Sequence, residues 1–135
     1  MSDTGQHFRD AVLAGDMDAV EALLSDDVQF RSPAVFKAYQ GRTATMVILR
    51  SVLRIADDFH YTRSFTEDHG RGHVLVFEAT VDGKAVEGAD FLRIGDDGLI
   101  DDFRVMMRPL SGLQAVVARM GEVIPQVMEE LGLSS

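Results

Sequence analysis

The sequence predicts an α+β fold: a curved, mostly antiparallel sheet shaped as a cone, with three to four helices packed on its concave side. Three observations predict it. Apolar stripes at helical spacing fill the first part of the chain and recur at its end. Between them lies a series of segments that alternate apolar and polar residues with period two, as half-buried strands do. Asp82-Gly83 and Asp96-Asp97-Gly98 separate such segments, and a glycine there accepts the positive φ that closes a hairpin.

Taken in order, Thr4 is placed to cap a first helix with Phe8, Val12 and Leu13 on one stripe, and Gly15 ends it. Asp16 caps a second helix that buries Val20, Leu23 and Leu24. The Asp26-Asp27 doublet leads into a short strand, Val28, Phe30 and Ser32 alternating with Gln29 and Arg31, which Pro33 stops. Residues 34–42, with Phe36, Tyr39 and Gly41, read as a loop folded over a cavity. Thr43 opens a third helix with Val47, Ile48, Val52 and Ile55 inward and Arg50 and Arg54 on the wet side, and Asp57-Asp58 marks its end. A strand follows in which Phe59, Tyr61, Arg63 and Phe65 share a face. After a turn at 68–72, Val74-Leu75-Val76-Phe77 is apolar on both faces and belongs inside the sheet. Ser111 is placed to cap the last helix, whose stripe is Leu113, Val117, Met120 and Ile124, with Pro125 expected to kink or break it.

Composition narrows the function. The 135 residues fit one domain, 1–135, without repeats, linkers or low-complexity tracts. Thirteen basic against 22 acidic residues give a net charge of −9, which repels nucleic acid and anionic membranes alike. There are no cysteines, hence no disulfide, thiolate zinc site or cysteine nucleophile. The first ten residues lack the basic start and apolar core of a signal peptide, and no apolar run approaches the ~20 residues that span a bilayer, so a cytoplasmic protein is expected.

The chemistry concentrates in the hairpin from Ala85 to Pro109. Val86, Gly88, Asp90, Leu92 and Ile94 share one face of its first strand, and Ala85, Glu87, Ala89, Phe91 and Arg93 share the other. Asp90 is thus a carboxylate in an apolar row, where an unpartnered charge is costly, so it either faces a pocket or is satisfied by a buried donor. One pairing register puts Phe103, Val105 and Met107 beside it and leaves Glu87, Arg93, Asp102 and Arg104 as a charged ladder on the far face; a one-residue slip brings Arg104 to Asp90 instead. Phe91 and Met106 lie among those charges and predict a homodimer through that face. His69 and His73 are four apart, but Gly70 and Gly72 put them in a turn, so no metal site is assigned; His60 reads as exposed. Phosphate loops, nucleophile elbows and dinucleotide fingerprints are absent, and no cofactor is expected.

Ala14-Gly15-Asp16-Met17-Asp18-Ala19, Leu24-Ser25-Asp26-Asp27-Val28, Ser32-Pro33, Tyr39-Gln40-Gly41-Arg42 and Ala89-Asp90-Phe91-Leu92-Arg93-Ile94 together resemble the nuclear transport factor 2-like superfamily, over nearly the whole chain. Ketosteroid isomerases, limonene epoxide hydrolases and SnoaL-like polyketide cyclases belong to it, and the frame also hosts non-catalytic members. By this resemblance Asp90 stands where the isomerases keep a protonated aspartate, Phe8 where they have a donor tyrosine, and Ser32 where their general-base aspartate precedes a proline; Gly88 replaces the arginine of the epoxide hydrolases. The full isomerase triad is therefore missing, and cyclases are the catalytic relatives least contradicted.

The expected function is binding of a small apolar molecule with one polar group in the mouth of the cone, with Asp90 as its handle and as the one candidate catalytic residue. Phe8, Phe103, Val105 and Met107 are expected to contact it, as are Leu92, Phe59 and Phe77 on the strands. Ser32, Phe36 and Tyr39 are expected at the loop. The alternatives are a cofactor-independent acid-base enzyme of cyclase, isomerase or hydrolase type using Asp90, and an interaction protein whose cavity is plugged by its own side chains.

Overall fold

The computed structural model describes residues 3–133. Helix α1 (Thr4–Ala14) ends at Gly15, whose φ of +70° lets its amide and that of Asp16 return to the Val12 and Ala11 carbonyls at 3.0 Å. Asp16 caps α2 (Met17–Ala22) by accepting from the Ala19 amide at 3.1 Å. Leu24 does not belong to that helix; it opens strand β1 (Leu24–Arg31), which contains Asp26 and Asp27 at a register shift. Inside the expected loop a short strand, β2 (Tyr39–Gln40), pairs back on β1.

Helix α3 (Arg42–Ile55) is followed by strands β3 (Asp57–Thr66), β4 (Gly72–Val81), β5 (Lys84–Ile94) and β6 (Ile100–Arg108), and then by α4 (Leu110–Glu130). Three expected caps are displaced. Thr4 lies inside α1, and its hydroxyl donates to the Gly98 carbonyl at 2.6 Å, tying the helix start to the β5–β6 turn. Gly41 precedes α3 with a φ of +95°, a conformation closed to Thr43, so the helix starts earlier. Pro109 supplies a preset φ of −78° ahead of α4 and leaves Ser111 inside it. Pro125 does not end α4, which runs through it to Glu130.

The six-stranded sheet has the order β2-β1-β6-β5-β4-β3, antiparallel except for the parallel β1–β6 pair. β4 is interior, between β5 and β3. The hairpin register is Gly88↔Met107, Asp90↔Val105, Leu92↔Phe103, so Val105 and not Arg104 lies beside Asp90. On the outer face Arg108 pairs with Glu87 at 3.0 Å, Arg93 with Asp101 at 2.8 Å and Arg31 with Asp102 at 3.0 Å.

One strand departs from simple alternation. Tyr61 pairs with Phe77, but after a register shift Arg63 pairs with Val76 and Phe65 with Val74. One extra residue there sends Arg63 and Phe65 to the outer face instead of the inner one they were expected to share with Phe59 and Tyr61. Phe65 consequently joins Phe91 and Met106 among the exposed large apolar groups of that face.

The helices pack against the inner face in two clusters. Phe8, Phe30 and Phe103 centre the first, with Phe103 5.3 Å from the Phe8 ring, edge-on, and 5.2 Å from that of Phe30. Val81, Val86, Val47, Ile55, Val116, Val123 and Val127 hold α3 and α4 over the other end of the sheet. Gly112 permits that contact, because a Cβ there would lie 2.5 Å from the Ala85 carbonyl oxygen. The buried stripe of α4 is thus Gly112, Val116, Val123 and Val127, rotated from the expected Leu113, Val117, Met120 and Ile124.

Candidate active site

Between the two clusters the helices and sheet leave a cavity of about 230 Å³. The displaced α4 stripe has a use here: Leu113, Val117, Met120 and Ile124 form part of its wall. α3 contributes Ile48, Leu49, Val52 and Leu53, and α1 and α2 contribute Phe8, Val12, Met17 and Val20. The sheet supplies Phe30, Phe59, Tyr61, Phe77, Asp90, Val105 and Met107, and the β1–β2 loop supplies Ser32, Pro33, Ala34 and Val35, with Tyr39 just beyond. The chamber is open rather than plugged by Phe8 or Met107.

Of the expected contacts, Phe8, Ser32, Tyr39, Phe59, Phe77, Val105, Met107 and Asp90 line this chamber. Leu92 and Phe103 do not, because both are spent in the packed core beneath it. Phe36 does not either: it stands wholly in solvent at 103% relative exposure. The wall is apolar apart from a few side chains, and two of these are buried groups without partners.

Asp90 is 7% exposed, and among the described residues no hydrogen bond reaches its carboxyl. Burial pushes its pKa up to about 8, so at neutral pH it is mostly a neutral acid able to donate. The second group is Tyr61, whose hydroxyl is buried with no partner. Its acidity is suppressed, first by burial and then by the Asp90 charge, with Arg9 acting in the opposite sense. The Tyr61 ring is held edge-on by Phe59 at 5.2 Å, Phe59 is stacked on Phe77 at 5.0 Å, and the Arg9 guanidinium lies 5.9 Å from the Tyr61 centroid. Gly88, beside Phe77 in the sheet, makes this stack feasible, since a Cβ there would come within 2.3 Å of the Phe77 ring.

Tyr61 was missed as a site residue although its alternation with Phe59 gave the correct face; what the sequence hides is that the hydroxyl ends up beside Asp90's field with nothing to bond. The histidines lie elsewhere. His69 pairs with Glu67, His73 contacts Thr66 at 3.1 Å with its ring against Gly5, and His60 is exposed near Glu78. Among the described residues no three His, Cys, Asp or Glu side chains are grouped to hold a metal ion, and no helix is long and apolar enough to cross a membrane.

A cone of this topology with an apolar chamber and a strand aspartate defines a nuclear transport factor 2-like protein. Residues 6–103 match the SnoaL-like domain, and the chain belongs to that family. Among solved structures it is similar to a steroid delta-isomerase from Pseudomonas aeruginosa, with 37% identity over 93% of this chain and 92% of that one and a TM-score of 0.88. It is also similar to an uncharacterized protein with a cystatin-like fold from Silicibacter pomeroyi, with 31% identity over 90% and 85% of the two chains and a TM-score of 0.84. A Mycobacterium tuberculosis protein in complex with estradiol-17beta-hemisuccinate shares the fold at 22% identity, over 78% of this chain and 95% of that one, with a TM-score of 0.61. No curated protein matches the chain.

Proposed function

We propose that the protein binds a compact apolar molecule through one acceptor oxygen, which receives hydrogen bonds from both the Asp90 carboxyl and the Tyr61 hydroxyl. The observation that carries this reading is the buried, unpartnered Tyr61 hydroxyl together with the buried Asp90 carboxyl, which no hydrogen bond reaches among the described residues, in an otherwise apolar chamber. Leaving such groups unbonded is unfavourable, and a ligand carbonyl or phenolic oxygen would relieve both at once. The similarity to a steroid isomerase and to a protein holding an estradiol ester supports a fused-ring ketone or phenol as the ligand class.

Titration calorimetry with progesterone and estradiol tests it. Tyr61→Phe and Asp90→Leu are each expected to weaken binding by about tenfold, the effect of one buried hydrogen bond. Wild-type affinity in both variants would remove the basis of the reading.

A second reading is cofactor-independent acid-base catalysis, favoured by the Asp90 pKa of about 8, close to where a proton shuttle is most effective. Of the chamber's lining residues only Asp90 carries a carboxylate, and no histidine is among them. A reaction needing both an acid and a separate base is therefore expected to be slow or absent in the native chain.

A homodimer through the outer sheet face belongs to the same proposal. Phe65, Phe91 and Met106 are 50%, 37% and 53% exposed on that face, between arginines and acids that a second copy would complement. Light scattering is expected to report twice the 14.8 kDa chain mass. Met106→Glu should halve it, and a native monomer would rule the dimer out.

A further inference from the structure

A second hollow lies behind the first. It occupies about 570 Å³ between the helix ends and is lined by Leu13, Gly15, Arg50, Arg54, Glu130 and Leu131 among others. Val12, Met17, Leu53 and Phe59 line both hollows, so they form the partition between them. All four are only half-buried although they stand between packed elements. These four side chains border the enclosed cavity on one side and, on the other, a hollow open to solvent, where Leu13 and Leu131 are 49% and 42% exposed. Met17 is unbranched with three rotatable bonds, which makes it the most adaptable side chain of the four.

The two chambers differ in charge. The first offers neutral donors, whereas the second offers cations. Arg54 is occupied by Glu130, with contacts of 2.8 and 2.6 Å to its two oxygens. Arg50 is not: its ion pair is with Asp18 at 3.7 Å, and the Asp18 side chain is 97% exposed, a geometry in which water competes fully. With Arg54 and Glu130 cancelling, Arg50 leaves the second chamber with an available positive charge in a protein of net charge −9.

We infer that the ligand is an elongated amphipathic acid, its acceptor oxygen at Asp90 and Tyr61, its apolar body passing the Met17 and Leu53 partition, and its anionic tail at Arg50. This rests on the reading above for the first chamber and adds a second point of recognition, which selects for length and for a carboxylate at the far end. A charge-assisted bond to a guanidinium is stronger than a neutral one, so the tail contributes to affinity only where it reaches Arg50.

The test is a series of ω-(4-hydroxyphenyl)alkanoic acids of increasing chain length, each compared with its primary amide by calorimetry on the wild type, Tyr61→Phe, Arg50→Gln and Arg42→Gln. Short acids are expected to bind no better than their amides. Beyond a threshold length the acid should bind about tenfold more tightly, as a charge-assisted bond implies. Arg50→Gln should abolish that advantage while leaving the amides unchanged, and Arg42→Gln, whose arginine pairs with Asp26 outside both chambers, should preserve it. Acids that match their amides at every length, or an advantage that rises smoothly with no threshold or survives Arg50→Gln, would overturn the inference. Amides that ignore Tyr61→Phe would instead overturn the first-chamber reading, independently of the tail.

Discussion

Replacing Asp90 by Asn is expected to flatten the pH dependence of folding stability between about pH 4 and pH 8. The folded pKa is raised by burial to about 8, from the ordinary aspartate value of 3.8. Between those values the folded protein holds a proton that the unfolded chain has released, so stability falls as pH rises. The contribution is fully present below the unfolded value, declines through the window and is lost once pH passes the folded value. Its limiting slope is about 1.4 kcal/mol per pH unit, which over several units is comparable with the ~5–15 kcal/mol that holds a typical domain together. Urea unfolding of the wild type and Asp90→Asn at intervals from pH 4 to pH 9 reads it directly. The other titrating groups are common to both proteins and cancel in the difference. The variant is expected to gain on the wild type steadily up to pH 8 and to run parallel above it. A difference that is constant with pH would mean that Asp90 is charged throughout, and the donor role assigned to it would fall.

The parts of the site legible in the sequence are those governed by parity. Asp96-Asp97-Gly98 closes the hairpin, and alternation on either side of it determines that Asp90, Val105 and Met107 share a face. Leu92 and Phe103 share that face as well, yet parity says nothing of depth along the strand, and both lie where the helices close down on the sheet. The rotation of α4 was hidden for a related reason: an apolar stripe reads the same whether it packs against side chains or borders an empty chamber, so Val123 and Val127 took the core and Leu113 and Val117 took the cavity. In β3 the residues on either side of the bulge alternate correctly, but the extra residue carries no glycine to announce it, and Phe65 changed faces. Tyr61 lies just before that shift, which is why its inward direction was readable while its lack of a partner was not.

Ser32 offers the largest gain from one substitution. It lines the chamber that holds Asp90 and Tyr61, and its hydroxyl accepts from the Ala34 amide at 3.0 Å, a local bond that an aspartate carboxylate would also make. By resemblance to the isomerases this is the place of the general base, and on the proposed reading the Tyr61 hydroxyl on β3 takes the part of the one that Phe8 lacks. Installing a carboxylate therefore completes an acid-base set: a base removes a proton from the α-carbon of a β,γ-unsaturated ketone and returns it to the γ-carbon, while charge developing on the ketone oxygen is held by the two donors. The wild type is expected to isomerise a β,γ-unsaturated cyclic ketone no faster than buffer. Ser32→Asp should raise the rate by roughly 10²-fold or more, the usual scale for a positioned base. Adding Tyr61→Phe or Asp90→Leu to that variant should remove most of the gain, since losing one donor to a developing oxyanion costs on the order of 10²-fold. Ultraviolet absorbance of the conjugated product follows the reaction. Wild-type turnover well above buffer that is unaffected by Ser32→Ala would place a base elsewhere in the chamber, and a Ser32→Asp protein that binds the ketone yet stays at the background rate would show that Asp90 and Tyr61 are not aimed at the oxygen of a bound ketone.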